Sequence, residues 1–378
     1  PIVTLTELQD IYKADNNVTL NGNISIQGSD CTEAAGSSDC NNLQLSFSNI
    51  VKFNYSKPDG TYLSATDVKF ENQHAYVSYH TNDAVDNNGN TPTGSIRIFD
   101  MTTPGTPVFK IQAESPLVEF NGIDVAGNKL FAVGNNKDGA RLVTYDLNST
   151  THSFDLNPAT PFITHKLQSS SAKNSYFYNN LLWIASGSLN GGLFTVNTTN
   201  GYTNSSVASK TGAKYVVNNG VKQAFFAVES TGAYLRIAGL DGSGATEYTY
   251  PNLVQNIKNG KNVIAMDDDY VYVSLSDKGV AKINLINGVM EKHFVPNNYR
   301  VNGSKVFTKN GATNGVAVDD CYVYLANGAD GVIVLNKTDF SPIGSFSISS
   351  GSANFVTVSN GYMFVATGRD GLNYIKIN

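Results

Sequence analysis

Five asparagines recur at one position of a repeating pattern in this 378-residue chain: Asn121, Asn174, Asn262, Asn314 and Asn354. Each stands just before or at the start of a short apolar β-run. A side-chain amide both donates and accepts hydrogen bonds, so a ring of them could line a mouth that holds a polar ligand. The plainer role is to cap the turn into each run. Asp67 and Asp124 fall inside two of those runs, where a carboxylate needs water or a cation. With the asparagines they form the set from which a lactonase-like or other hydrolytic site could be built at the mouth of a channel. A third group sits in the stretch HTNDAVDNNGNTPTG, which holds His80, Asp83 and Asp86. Long loops on a rigid scaffold are where specificity is carried. This one suits calcium or a sugar, and equally suits a plain loop.

The other constellations of catalysis are missing. The five histidines are scattered, with no pair spaced for zinc on one element. No nucleophile elbow, phosphate-binding loop or dinucleotide fingerprint occurs. One tryptophan, Trp183, is too few for a quinone-docking propeller, and it lies in the apolar run LLWIAS, where core packing is its expected role. Catalytic residues and resident metal are therefore not assigned, and no cofactor is expected beyond calcium at the polar loops.

Seven cassettes position these residues. Each has a run ending in V-x-V, a tight turn, an aromatic-rich strand, a Gly turn and another strand. The clearest copies are Asn314–Lys337, Asn354–Asn378 and Asn262–Ile286. A β-unit repeating every 40–57 residues or so is the pattern of a propeller, whose blades cannot bury their faces alone. The fold class is thus all-β, a seven-bladed β-propeller. The first strand of each cassette is expected innermost. Its turn is Asp319-Asp320, Asp267-Asp268-Asp269, Asn360-Gly361 or Gly127-Asn128. Because Asn-Gly replaces Asp-Asp in one copy, the acidic turns read as turn chemistry and not as calcium sites.

The last cassette ends after its third strand and lacks an outer one. Leu43–Tyr55 alternates well and is expected to supply it, so that an N-terminal strand closes the propeller on the C-terminal blade. The domains are then residues 1–42, an N-terminal appendage with a short helix and a strand, and residues 43–378, the propeller. Cys31 and Cys40 bracket a small polar loop that suits a local disulfide in an oxidising compartment, with free thiols as the alternative. Cys321 reads as a small core residue.

Charged residues make up 15% of the chain and the net charge is −5, which excludes a basic field for nucleic acid. No apolar run is long enough for a transmembrane segment. The chain opens with Pro1 and shows no signal region, and so reads as a mature form from which an export or lipoprotein signal was removed. The units "V-x-V…YVYLANGADGVIVLN" and "V-T-V…YMFVATGRDGLNYIKIN" resemble the LVIVD repeat and, more broadly, YVTN-like bacterial surface propellers. That resemblance implies a seven-bladed propeller at the cell surface. The expected function is an exported, non-catalytic binding scaffold for a glycan or envelope protein, extracytoplasmic in the periplasm or at the surface, and lipid-anchored if the removed signal was a lipoprotein's.

Overall fold

A computed structural model describes residues 23–24, 47–53, 63–81, 94–103, 105–115, 118–155, 163–255, 260–346, 351–368 and 371–377. The chain is an all-β, seven-bladed β-propeller: six four-stranded antiparallel sheets and a seventh sheet to which the N-terminal part of the chain contributes. Among the described residues it divides into two units, one of residues 63–249 and the other of residues 23–24, 47–53 and 250–377. Among the described residues no helix is long and apolar enough to cross a membrane.

The first unit carries blades one to four. Their first strands are Ser64–Glu71, Glu119–Ala126, Ser171–Tyr178 and Ala213–Asn218. Within this unit they lie side by side in that order, so these are the inner strands. Middle strands are apolar on both faces because both faces meet a neighbouring sheet. Trp183, in Leu181–Gly187, is 2% exposed and stacks on Tyr176, in the core as expected. Where backbones approach, only glycine fits. A Cβ on Gly134 would stand 1.6 Å from the Glu119 carbonyl oxygen.

The second unit carries blades five to seven, with inner strands Ile264–Met266, Gly315–Val318 and Phe355–Ser359. Blades five and six share one hairpin design. In blade five, Asp267 Oδ1 accepts from the amides of Asp269 and Tyr270, and Oδ2 accepts from the Tyr272 hydroxyl at 2.8 Å. In blade six, Asp319 Oδ1 accepts from Cys321 and Tyr322, and Oδ2 accepts from the Tyr324 hydroxyl at 2.6 Å. These are Asx turns, so the acidic residues shape the hairpin as the sequence suggests. Asn360 fills the corresponding turn of blade seven at φ 51°, a backbone that Asn tolerates.

Blade seven takes its outer strand from far upstream. Phe47–Phe53 pairs antiparallel with Leu372–Ile377, from Phe47 opposite Ile377 to Phe53 opposite Leu372. Asn23–Ile24 adds a short fifth strand through Ser48 and Phe47. The expected closure by Leu43–Tyr55 is thus present. The appendage helix and the Cys31–Cys40 loop lie outside the described residues. Cys321 differs from expectation. It is half-buried at the edge of the blade six–seven core and is disulfide-bonded. With three cysteines in all, that bond and a Cys31–Cys40 bond are mutually exclusive within one chain.

Candidate functional site

The inner strands of blades one to four share an irregularity absent from the pairings of the three inner strands of the second unit. Each pairs with its neighbour through a register shift, between Ala65 and Asp67, Phe120 and Gly122, Ala172 and Asn174, and Ala213 and Tyr215. The unpaired residues are Thr66, Asn121, Lys173 and Lys214. A bulge bends the strand and re-aims the extra side chain, so these four occupy equivalent places in consecutive blades.

Two recurring bonds stitch the inner strands together from these positions. Thr66 Oγ1 donates to the Phe120 carbonyl at 2.9 Å, and Asn121 Nδ2 donates to the Ala172 carbonyl at 2.9 Å. One residue further on, Asp67 Oδ2 accepts from the Ile123 amide at 3.2 Å, and Asn174 Oδ1 accepts from the Val216 amide at 2.8 Å. Asn174 also donates to the Val216 carbonyl. Each contact fixes a blade against the next.

The structure therefore brings Asp67, Asn121, Asp124 and Asn174 into one neighbourhood, with their polar atoms engaged. Asp124 is 4% exposed, holds Lys69 Nζ at 2.9 Å and accepts from the Phe177 amide at 2.6 Å. The Asp124 charge is the main reason the Lys69 ammonium titrates above its ordinary range, against the opposing effect of burial. Tyr215 is pushed well above its ordinary value, first by burial and then by the charge of Asp67, with Asp124 adding to it.

A network on the face of the second turns is the most developed polar feature of this unit. Thr81 Oγ1 donates to Glu119 Oε1 at 3.3 Å, and Asn135 Nδ2 donates to Glu119 Oε2 at 3.2 Å. Asn135 Oδ1 then accepts from both Asn121 Nδ2 and Ser171 Oγ at 2.9 Å. Lys173 Nζ donates to Ser171 Oγ at 2.8 Å. Blades one, two and three are thus linked side chain to side chain. Burial lowers the Lys173 pKa while Glu119 pulls it upward. Lys214, at the next bulge, is brought down to about 8 by burial and by the Lys173 charge. Chemically this is a half-buried, hydrogen-bonded rim with an acidic side at Glu119 and two crowded amines. It suits a ligand rich in hydroxyl, amide or carboxylate oxygen.

In the second unit the asparagines serve the backbone. Asn262 is fully buried at φ 53° and donates to the Ser274 carbonyl and to Gln255 Oε1. Asn314 Nδ2 donates to Asn354 Oδ1 at 3.1 Å, and Ser352 Oγ donates to the same oxygen. His80 ends the second strand of blade one, paired with Ser64 and Gly94, and is half-buried. Asp83 and Asp86 lie outside the described residues.

Sequence reasoning named neither Lys173 nor Lys214, nor Glu119 and Asn135. Aligning blade three on Asn174 slid it by one residue against Asn121, because Lys173 is the true counterpart. The bulge leaves only a faint mark in the sequence, the odd polar residue that interrupts alternation in S-A-K-N-S-Y and G-A-K-Y-V-V.

No known protein family's profile matches the chain, and no curated protein does. Solved structures resemble it in fold. The structure of U3-55K superposes with a TM-score of 0.59 at 9% identity, covering 87% of this chain and 98% of that one. The crystal structure of the computationally designed Ika8 protein gives 0.50 at 9% identity, covering 83% and 96%. At such identities the likeness concerns the fold.

Proposed function

We propose that this protein is an exported, non-catalytic scaffold that binds a glycan or protein partner at the cell envelope, through the face bearing the second turns. The network from Thr81 through Glu119, Asn135 and Ser171 to Lys173 carries this reading. It presents oriented donors and acceptors on a rigid set of inner strands, which is how a site gains affinity without ordering costs. The reading also draws on the LVIVD-like repeats of the last three blades. A periplasmic or surface location, lipid-anchored or free, draws on the low charge and on the Cys321 disulfide, since disulfides persist in oxidising compartments. A hydrolase built on Asp67 and Asp124 has less support, because both carboxylates are spent on backbone amides and Lys69.

The test is binding of the full chain to a panel of glycans and envelope proteins, repeated with Lys173→Ala and Lys214→Ala. A binder weakened at least tenfold by either change supports the reading. Robust turnover of a small substrate, or a binder indifferent to both changes, overturns it.

A further inference from the structure

The opposite face of blades one and two holds two histidines that are far apart in sequence. A cavity of about 560 Å³ opens there, lined among others by Asn72, His74, Asp100, Lys110, Thr151 and His152. The ring centroids of His74 and His152 lie 5.4 Å apart, with planes tilted by 53°. We propose that this pair is a binding site for a divalent transition-metal ion of the zinc, nickel or copper class. It lies apart from the rim described above and does not rest on that reading.

Three observations carry the assignment. His74 is 6% exposed, and its Nδ1 lies 2.8 Å from the Asn72 carbonyl. A carbonyl only accepts, so Nδ1 carries the hydrogen and the neutral ring leaves its Nε2 lone pair available. Metal-binding histidines are oriented by just such an outer hydrogen bond. Second, two imidazoles bound to one ion at about 2.0–2.1 Å in a tetrahedral arrangement place their centroids about 5.2 Å apart. The observed 5.4 Å separation is close to that value. Third, His152 is held rigidly in a conformation that few residues adopt. Its φ is 51°, its amide donates to the Asn148 carbonyl at 2.9 Å, and its carbonyl accepts from the Tyr76 hydroxyl at 2.9 Å. Asn148 Oδ1 further ties down the amides of Thr150 and Thr151. A left-handed non-glycine residue pinned from both sides is a pattern found at ligand clamps.

Among the described residues no group of three or more His, Cys, Asp or Glu is placed to hold a metal. The ion would therefore keep two or more positions for solvent or for a donor on a bound partner. Asp100 shares the cavity, but Thr102 and Lys110 hold its carboxylate, the latter at 3.0 Å. With its charge paired to Lys110, it is not counted as a ligand.

The experiment is calorimetric titration of the chelator-treated full chain with Zn²⁺ and Cu²⁺, with His152→Gln and His74→Gln as variants and a thermal melt of each. His152 is half-exposed on a loop, so its variant keeps the proposal testable even where His74→Gln destabilises the fold. Expected are one equivalent bound, at least a tenfold loss in His152→Gln, and two-nitrogen coupling in the Cu²⁺ spin-resonance spectrum of the parent alone. No binding, or binding equal in parent and His152→Gln, overturns the proposal. So does a site that ignores metal and takes inorganic phosphate in a histidine-dependent way.

Discussion

Blades five to seven and blades one to four solve one problem in different ways. In the second unit the inner strands are three to five residues long and pair without a register shift. Their second turns are near copies: the amides of Leu275, Asn327 and Thr367 donate to the carbonyls of Gly279, Gly331 and Gly371 at 2.7, 2.8 and 2.9 Å. In the first unit the inner strands run six to eight residues and each carries a bulge. The regular unit spends its hairpin aspartates on its own turns, with a few links such as Lys337–Asp267 and Asn314–Asn354 between blades. The irregular unit spends its polar side chains on the next blade and on a rim. Departures from the repeat are expected where a fold has been adapted to a task, and both candidate sites lie in the irregular unit.

The largest expected effect tests the regular unit. Deleting residues 1–56 removes Phe47–Phe53, strips the edge of Leu372–Ile377 and, with both other cysteines, abolishes the Cys321 disulfide, so the same deletion is also compared with the parent under reducing conditions. Each backbone group left without a partner costs about 1–3 kcal/mol, and a domain has about 5–15 kcal/mol in hand. The longer deletion should therefore lose several kcal/mol in a chemical melt. Among the described residues, deleting residues 1–30 takes away the two-residue strand Asn23–Ile24 and should cost about 1 kcal/mol or less. Equal melting of the two truncations would show that blade seven stands without its borrowed strand.

The same contrast explains what could be read in advance. Blades five and six were legible because one residue type does one job at one place, Asp at the turn, Tyr three and five positions on and Gly closing the next turn, and blade seven keeps the spacing with Asn360 at the turn. The borrowed strand was legible because the last cassette visibly lacks a partner. The rim was not. A bulge shifts the register by one residue, so Lys173 and not Asn174 is the counterpart of Asn121, and Glu119 and Asn135 meet only once blade two is folded. The His74–His152 pair is invisible in sequence for the same reason, since the two belong to different blades.

Two aspartates sharpen the comparison at the next level of energy. Asp124→Ala removes the acceptor for the Phe177 amide and strands Lys69, joining positions on three blades. It should cost about 2–4 kcal/mol, discounted from a fully buried pair because the lysine side chain is partly exposed. Asp319→Asn keeps a side-chain oxygen for its own turn and should cost about 1 kcal/mol or less. The pH dependence separates them further. Lys69 has a raised pKa in the folded chain, so its contribution is complete below the unfolded value of about 10.4 and fades as pH rises through the folded one. The gap between parent and Asp124→Ala should narrow above about pH 10.5, while the Asp319→Asn gap stays flat. Equal costs for the two variants would mean that the inter-blade bonds are no stronger than a local turn.

The smallest effect probes the rim itself. Lys214 titrates near 8 in the folded chain because burial and Lys173 both disfavour its ammonium. Its ordinary value is about 10.4, so between those two values the unfolded chain binds more protons and stability rises with pH. At pH 8 about half of Lys214 is a neutral amine, against under about 1% of an ordinary lysine. Brief labelling with an amine-reactive reagent at that pH, read by peptide mass, should mark Lys214 ahead of surface lysines such as Lys292. Lys173→Ala removes the neighbouring charge, which moves the Lys214 midpoint upward and lowers its labelling a few-fold. Burial alone would leave the labelling unchanged in that variant. Only a drop on removing Lys173 shows that two consecutive bulges bring their amines together, which is the arrangement that sets this half of the propeller apart from the other.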